Sequence, residues 1–314
     1  MDLYSIGEMV IDFLPGEGEG VYIRNAGGAP ANVAIAAARN GLDSGMCCKV
    51  GEDDFGRFLF ETLRKEKVRV MCPERCGEAV TTMAFVSLDD EGERSFTFAR
   101  KPGADMFLRP EEVRESDIRQ AAVIHAGSCS LSAGPAAEAT RKALRLGHEN
   151  GKIVSFDINY RDLMWEKDRG KCAEAVREIL PCVDLLKLSD EEADLIGGEA
   201  RLPELIREAR LTAVILTCGG EGARAYFQDQ ILSVKGRKVR AVDTTGAGDA
   251  FWGGFLSSLL LQGVRNDKAV TEETLRVALD YGTVSGALCV QKKGAIASLP
   301  GREEIEQTLR GDRV

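Results

Sequence analysis

The sequence predicts an α/β fold with a mostly parallel central sheet and a small β-sheet lid. Short apolar runs alternate with helical patterns along the chain, and repeated βα units of this kind build parallel sheets. Two alternating segments, 79–88 and 94–100, flank the polar turn 89–93 and predict a hairpin inserted into this pattern. Neither a proline- or serine-rich linker nor an internal repeat divides the 314 residues, so we expect one domain over 1–314.

Composition narrows the possible functions. The formal net charge of -9 disfavours nucleic-acid binding, because a basic footprint is missing. Only two histidines occur, so a histidine-based triad or a multi-histidine metal site is nearly excluded. Any mechanism must therefore rest on carboxylates and backbone groups.

Cysteine usage and hydropathy indicate the compartment. The nine cysteines include no CxxC pair, and an odd number in a chain of this size favours reduced thiols. The start of the chain lacks a signal-peptide pattern, and no stretch reaches eighteen uncharged apolar residues. We expect a soluble cytoplasmic protein that has no membrane partner.

Two segments near the start of the chain are candidates for ligand contact. Residues 3–10 predict a strand, with Asp12 at or just beyond its end, where open α/β sheets bind ligands. Asp12 is nearly as well explained as a turn cap. Next, Gly27 and Gly28 allow a ligand to approach the backbone, and Asn32 offers a donor and an acceptor to a hydroxyl-rich sugar. The alternative is an ordinary glycine turn followed by a tightly packed helix.

The next part of the chain supplies a strand, a helix and the lid. Residues 47–51 predict a strand, and 53–67 a helix. The hairpin of 79–100, together with 13–24, is expected to form a small sheet that covers a ligand and excludes water. An edge hairpin without a lid role is the alternative.

Two buried strands, 122–126 and 152–157, continue the βα pattern. Asn159 and Arg161 follow the second of them and should lie at the ligand edge of the sheet. Arg161 is suited to a substrate hydroxyl or phosphate, or it pairs with Asp157 or Asp162.

The strand predicted at 183–188 leads into an acidic cluster that contains Glu192. A helix start explains this cluster without any function, whereas Glu192 is also suited to orient a Mg²⁺-bound water. The apolar strand 213–217 enters a loop with three glycines, Gly219, Gly220 and Gly222, which lets the chain pass close to a nucleotide. Antiparallel strands are expected at 223–227 and 231–234, and a helix at 271–290.

Residues 242–251 form the segment that we expect to carry the catalytic groups. Residues 243–245 supply cap-type side chains, Gly246-Ala247-Gly248 removes bulk around the backbone amides, and 250–261 predicts a buried helix. A helix N-terminus with bare amides binds anions, phosphate above all. Asp249 in the first turn is placed to act as a base towards a hydroxyl that attacks phosphorus, or else it only complements the helix dipole.

Two separated motifs carry a family resemblance. They are Gly27-Gly28-Ala29-Pro30-Ala31-Asn32 and Asp243-Thr244-Thr245-Gly246-Ala247-Gly248-Asp249, and in this order they make the chain similar to the ribokinase (PfkB) family of carbohydrate kinases. The P-loop and the G-x-G-x-x-G dinucleotide motif are both missing. The resemblance implies a ribokinase-like three-layer α/β/α sandwich with a lid, and a kinase that uses ATP and Mg²⁺.

The resemblance also implies site residues. It implies that Asp249 is the base and that the backbone amides of Gly246, Ala247 and Gly248 hold the oxygens of the transferring phosphoryl group. It places on the sugar the residues Asp12, Gly28, Asn32, Asn159 and Arg161, with Phe98 on the lid. It places near ATP and Mg²⁺ the residues Lys187, Glu192, Thr217, Gly219, Gly220, Gly222 and Thr283. It implies a monovalent cation, usually K⁺, at Asp243, Thr245 and Gly294.

The chain departs from the family pattern at two positions. Thr283 and Ser189 each stand where an asparagine is common, which affects the nucleotide contacts. The lid strand and the segment 293–300 look most like bacterial fructokinases. Related kinases act on aminoimidazole riboside or 2-keto-3-deoxygluconate. We therefore expect an ATP-dependent fructokinase, with a kinase for a related sugar or nucleoside, or a non-catalytic sugar-binding regulator, as alternatives. A homodimer that covers the exposed lid edges is also expected.

Overall fold

The computed structural model describes residues 1–18, 20–88 and 94–311, and for 88 and 94–96 the backbone alone. The expected turn at 89–93 lies outside these residues. Within them the strands are β1 Leu3–Ile6, β2 Val10–Pro15, β3 Tyr22–Gly27, β4 Ser44–Cys47, β5 Arg69–Val70, β6 Met83–Leu88, β7 Arg94–Ala99, β8 Val123–Gly127, β9 Ile153–Asp157, β10 Leu185–Ser189, β11 Ala213–Thr217, β12 Gly222–Phe227 and β13 Gln230–Lys235.

The helices in the same residues alternate with the strands. They are α1 Ala29–Arg39, α2 Asp54–Lys65, α3 Glu115–Gln120, α4 Gly134–Glu149, α5 Arg169–Ile179, α6 Leu202–Ala209, α7 Ala247–Leu261, α8 Glu272–Cys289, α9 Ala295–Ser298 and α10 Arg302–Gly311. Each helix of the described part falls short of the length and hydropathy that would be needed to cross a membrane.

The central sheet contains nine strands in the order β13-β12-β11-β10-β9-β8-β1-β4-β5. Strands β11 to β5 in this order pair in parallel, and β12 and β13 add an antiparallel edge. A mostly parallel α/β sheet is the fold class that the alternating βα pattern predicts.

Alternate residues of each central strand face opposite cores, which produces three layers. On β1, Leu3 packs with side chains of α1, α7 and α8, whereas Tyr4 packs with side chains of α4 and α5. The same alternation recurs on β8, where Val123 and Ile124 belong to the two different cores. Helix α7 is buried along nearly its whole length, which fixes the position of its N-terminus.

A second, four-stranded sheet has the order β3-β2-β6-β7 and corresponds to the expected lid. Strands β2 and β3 form one hairpin, and β6 and β7 are also antiparallel partners. The rings of Phe13 and Phe85 stack across this sheet with their centroids 4.8 Å apart. The first lid segment is longer than expected, because β2 begins at Val10 and β3 ends at Gly27.

The expected strand over 3–10 is wrong, since the chain leaves the central sheet after Ile6. Gly7 has a φ of 151°, and a Cβ atom there would lie 2.6 Å from the Pro30 ring. The chain turns at this glycine and enters β2 of the small sheet. Asp12 therefore lies within a lid strand and not at the end of a core strand.

The strand expected at 47–51 lies three residues earlier, at Ser44–Cys47. Its bounds follow its partner, because Leu3 pairs with Ser44 and Ile6 pairs with Cys47. Residues 48–51 instead continue beyond the sheet towards α2, which begins as expected after the capping side chain of Asp53.

Candidate active site

The N-terminus of α7 is built differently from the sequence-based expectation. We expected residues 243–245 to cap the helix, but the N-cap is Gly246, with a φ of 78° and no side-chain cap. Asp243 accepts hydrogen bonds from the backbone N–H of Thr245 and of Gly294, each at 2.9 Å. Its carboxylate therefore ties the loop before α7 to the loop before α9.

One of the backbone amides that we expected to bind phosphate already donates a hydrogen bond within the protein. The amide of Ala247 donates to the Thr244 carbonyl at 3.2 Å, which closes a tight turn. The amide of Gly248 has no backbone acceptor among the described residues, as expected for the first turn of a helix. A Cβ atom on Gly248 would lie 3.3 Å from the Lys187 ammonium, so a cationic side chain lies beside this amide.

Asp249 is held by a side chain from the other motif. The Nδ2 group of Asn32 donates to Asp249 Oδ2 at 2.7 Å, and both residues are buried, with exposures of 3% and 7%. The Oδ1 atom of Asn32 is buried without a hydrogen-bond partner among the described residues. The bond joins the first turns of α1 and α7, so the two motifs meet in one site.

Asp12 approaches the same site from β2. A Cβ atom on Gly27 would lie 2.0 Å from Asp12 Oδ2, so this carboxylate fits only against a glycine. Burial raises the pKa of Asp12 to about 6, with a further rise from the Asp249 charge and an opposing effect of Arg161. Gly28 has a φ of 115°, and a Cβ atom there would lie 2.5 Å from the Glu8 carbonyl oxygen.

Arg161 and Asn159 follow β9 as expected. Arg161 is exposed, and the ion pair with Asp157 or Asp162 that we considered is not formed; its Nη1 group donates to the Tyr160 carbonyl at 2.9 Å. Asn159 is buried with a φ of 38°, and its amide N–H donates to Asp157 Oδ1 at 3.1 Å. The Arg161 guanidinium keeps donors that a ligand can use.

Lys187 and Asp157 form a buried ion pair between neighbouring strands, with a 2.8 Å distance from Nζ to Oδ2. Burial lowers the pKa of Lys187, but the Asp157 and Glu192 carboxylates outweigh this effect and the net shift is upward. Burial raises the pKa of Asp157, and the Lys187 ammonium opposes that rise. The site thus contains a fixed positive charge next to the N-terminus of α7.

Glu192 has a structural role that the helix-start interpretation anticipated. Its Oε1 atom accepts from the Tyr160 amide at 2.7 Å, and its Oε2 atom accepts from the Ser189 amide at 2.9 Å. The second bond belongs to a capping box on Ser189. Glu192 joins the loop after β9 to the one after β10, and its carboxylate faces Lys187.

The glycine loop after β11 is open. At Gly219 and Gly220 a Cβ atom would meet nothing within 4 Å, and both residues are exposed. Gly222, with a φ of 108°, packs against the Val234 carbonyl, where a Cβ atom would lie 2.1 Å away. Thr217 donates to the Leu188 carbonyl at 3.3 Å. Thr283, on α8, is buried and its hydroxyl has no partner among the described residues.

The lid joins the core through a buried ion pair that the sequence analysis did not single out. Arg100 follows β7, and its Nη2 and Nε groups contact Asp105 Oδ2 at 2.8 and 2.9 Å. Thr82, just before β6, donates to the other Asp105 oxygen. Phe98 lies on β7, half-buried against the core. Spacing in the sequence gives no sign that Asp105 ties the end of β7, through Arg100, to the start of β6, through Thr82.

Comparison with known proteins identifies the family of the chain. Residues 2–302 match the pfkB family of carbohydrate kinases. A fructokinase of Klebsiella pneumoniae is 37% identical over 98% of this chain and 99% of its own length.

Two solved structures share the whole fold. A Xylella fastidiosa fructokinase with bound ATP has a TM-score of 0.93 at 31% identity, covering 100% of this chain and 99% of the other. A Vibrio cholerae fructokinase with fructose, ADP and calcium ion has a TM-score of 0.86 at 33% identity, covering 98% of each chain. The chain belongs to the PfkB family of carbohydrate kinases, and it is a phosphotransferase that acts on a sugar hydroxyl.

Proposed function

We propose that this protein is an ATP-dependent fructokinase in which Asp249 is the base. The observation that carries the proposal is the buried bond between Asn32 and Asp249, which fixes a carboxylate in the first turn of α7. A base must lie within hydrogen-bond reach of the proton that it removes, and rigid elements hold it there better than loops. Helices α1 and α7 provide that rigidity.

The reaction proceeds by proton removal and in-line attack. Asp249 takes the proton of the sugar hydroxyl as that oxygen attacks the γ-phosphorus of ATP. The amide of Gly248 and the Lys187 ammonium stabilise the negative charge on the transferring phosphoryl oxygens. The amides of Gly246 and Ala247 border the same space, and Ala247 contributes less because its N–H already donates a hydrogen bond to the Thr244 carbonyl.

The sugar lies between the two motifs and the lid in this proposal. Asp12, Asn32 and Arg161 supply charged or amide groups for its hydroxyls, and Gly28, whose Cβ position is filled by the Glu8 peptide, borders the sugar through its backbone. Asn159 and Phe98 complete the same pocket. Support comes from the unpartnered Asn32 Oδ1, because a buried acceptor gains most from a hydroxyl donor.

ATP is proposed to lie across the open glycine loop. Gly219 and Gly220 leave room for a nucleotide, and Thr217 and Gly222 fix the ends of the loop. The buried, unpartnered hydroxyl of Thr283 supports a polar contact on the adenine side. The nucleotides named in the two fructokinase structures support this choice of phosphoryl donor.

We propose Mg²⁺ and K⁺ as the ions of this site. Mg²⁺ is held in proteins by few carboxylates together with substrate phosphates, and Glu192 would hold a Mg²⁺-bound water near Lys187 and Asp157. We propose that the buried Asp243 carboxylate, whose oxygens also accept hydrogen bonds from the Thr245 and Gly294 amides, would hold a monovalent cation such as K⁺ together with backbone carbonyls of the same two loops. Such an ion would supply extra positive charge at the phosphate end of α7.

We also infer one kinase domain over residues 1–314, with the small sheet of β2, β3, β6 and β7 as its lid, and a homodimer formed through that sheet. Nine free cysteines support a reducing compartment, which we propose to be the cytoplasm.

A coupled assay of ADP release over a panel of sugars and nucleosides tests the function. We expect fructose to stimulate ADP release most strongly. A larger kcat/KM for aminoimidazole riboside or 2-keto-3-deoxygluconate would replace fructose as the substrate. Sugar binding by calorimetry without ADP release from any member of the panel would contradict the kinase and favour a binding regulator.

A further inference from the structure

Glu8 is a buried carboxyl group for which the proposed reaction has no role. It lies between β1 and β2, two residues beyond the point where the chain leaves the central sheet, and is only 4% exposed. Its Oε2 atom is buried without a hydrogen-bond partner among the described residues. Most buried polar atoms of native proteins have a hydrogen-bond partner, so this oxygen requires an explanation.

The peptide of Glu8 packs closely against Gly28, the N-cap of α1 on the proposed sugar side of the site. A Cβ atom on Gly28 would lie 2.5 Å from the Glu8 carbonyl oxygen and 2.9 Å from the Met9 α-carbon. Asn32, which holds Asp249, begins its helical turn at Gly28, since its amide donates to the Gly28 carbonyl at 2.9 Å. Glu8 is thus fixed to the same backbone that positions the base.

Within the part of the chain that the structure describes, the charges around Glu8 leave it without a counter-ion of its own. It faces Cys48 beyond β4, Arg100 beyond β7 and Cys129 beyond β8. It also faces Asp105 and, on α7, Asp249. Arg100 is the one cation in this set, and its Nε and Nη2 groups already contact Asp105.

Burial raises the pKa of Glu8 to about 7. Its own backbone amide opposes the rise, the Asp105 charge adds to it, Arg100 opposes it, and the Asp249 charge adds to it. The carboxyl group therefore changes charge within the neutral pH range.

We propose that Glu8 is a positioning residue of the phosphoryl transfer, which acts through its charge on Asp249 from behind the sugar site. The proposal rests on the role of Asp249 as base. An ionised Glu8 repels the negative charge of Asp249 and so favours proton uptake by Asp249. A protonated Glu8 removes this repulsion. Proton removal from the sugar should therefore become faster as the pH rises through about 7.

The test is the pH dependence of kcat for ADP release with the best sugar of the panel. In the wild type we expect a step in kcat near pH 7. In Glu8→Gln, which keeps the shape but not the charge, we expect this step to be lost, kcat at pH 8.5 to fall about tenfold, and KM for the sugar to stay within about twofold. Glu8→Asp should retain a step at a shifted pH.

Glu66→Gln is the matched control, because Glu66 is a half-buried glutamate whose partner Arg39 lies at the far end of α1. Eleven helical residues separate that end from Gly28, about 16 Å along the axis. This control should keep the wild-type profile.

A Glu8→Gln profile that retains the step would overturn the proposal. So would an equal loss of kcat at every pH accompanied by a lower Tm, which would show a purely structural role. If Glu8→Gln does not fold, Glu8→Asp decides: a shifted step supports the proposal and an unshifted step contradicts it. A wild type without sugar-dependent ADP release would instead refute the proposed function, so the two failures are distinguishable.

Discussion

Among the described residues, the Asn32 amide is the one side chain that donates a hydrogen bond to the Asp249 carboxylate. Asn32 donates to it at 2.7 Å from a position 217 residues away in the chain. Hydrogen bonds to charged groups contribute about 1.5–3 kcal/mol, more than bonds between neutral groups. We therefore expect Asn32, in the first motif, to orient the proposed base in addition to its proposed contact with the sugar.

Removal of the Asn32 side chain should impair the chemical step. For Asn32→Ala we expect kcat to fall about 10- to 100-fold, because a bond of about 1.5–3 kcal/mol to the base is lost. The control is Asn150→Ala, which removes an amide that donates to the Leu146 carbonyl at the end of α4. Steady-state kinetics of both variants check the prediction, and a kcat for Asn32→Ala within twofold of the wild type would contradict it.

A buried histidine beneath the site should make stability depend on pH. His125 Nδ1 lies 3.0 Å from Ser155 Oγ, which also accepts from Trp252 Nε1 at 3.0 Å. Burial lowers the pKa of His125 to about 3, and the Lys187 charge adds to the shift.

The stabilising effect of neutral His125 is fully present above about pH 6.5 and is lost as the pH falls towards 3, because only the unfolded chain then binds the proton. Relative to His125→Gln, the wild type should lose about 1.4 kcal/mol of unfolding free energy per pH unit between about pH 6 and 4. Urea unfolding at several pH values measures this difference. Parallel pH dependences of the two proteins would show that His125 is not held neutral. The raised pKa values of Glu8 and Asp12 act in the opposite direction in both proteins and cancel in the comparison.

At the level of elements, two glycines of α7 illustrate different constraints. A Cβ atom on Gly248 points at the Lys187 ammonium, 3.3 Å away, whereas one on Gly253 would lie 2.4 Å from Ala36 Cβ in the packed interface with α1. We propose that the first glycine keeps space open for a phosphate, whereas the second permits close helix packing.

The substitutions Gly248→Ala and Gly253→Ala should therefore separate activity from stability. We expect Gly248→Ala to lower kcat at least tenfold without loss of stability, because alanine favours a helix by about 0.5–1 kcal/mol over glycine. Gly253→Ala should lower Tm, since overpacking costs about 1–3 kcal/mol. Thermal unfolding and kinetics of both variants check this contrast, and unaltered turnover by Gly248→Ala would refute it.

Elements were predictable where a local pattern decided them. Strand β11 has the predicted bounds, 213–217, and α8 lies within one residue of its predicted ends. The first strand was mispredicted because the apolar run through Val10 continues past Gly7, and periodicity alone does not reveal that the chain changes sheets there.

The residues of the candidate site were likewise predictable only where a local motif contains them. Each motif identified its own residues, but the bond between Asn32 and Asp249 and the position of Glu8 depend on how distant segments pack. Only the fold brings those groups together, so no local spacing could reveal them.

At the level of the whole molecule, the small sheet has an outer strand with apolar residues in solvent. Val21, Tyr22 and Ile23 are each about half exposed, at or next to the start of β3. An exposed, apolar edge strand favours pairing with another chain.

We expect light scattering to give twice the mass of one chain, because a second copy can cover the β3 edge. The substitution Ile23→Lys should shift the mass towards a single chain, since a charge at this edge opposes pairing. Ile231→Lys, at an exposed position on the far edge of the central sheet, is the control. A light-scattering mass of one chain for the wild type at working concentration would contradict the predicted dimer.

The central claim is that Asp249 is the base of a sugar kinase, and the most direct measurement is turnover by Asp249→Asn alongside its affinity for the sugar. Loss of the carboxylate should lower kcat about 10²- to 10⁴-fold, while sugar binding stays near that of the wild type. Turnover close to that of the wild type in this variant would contradict the claim.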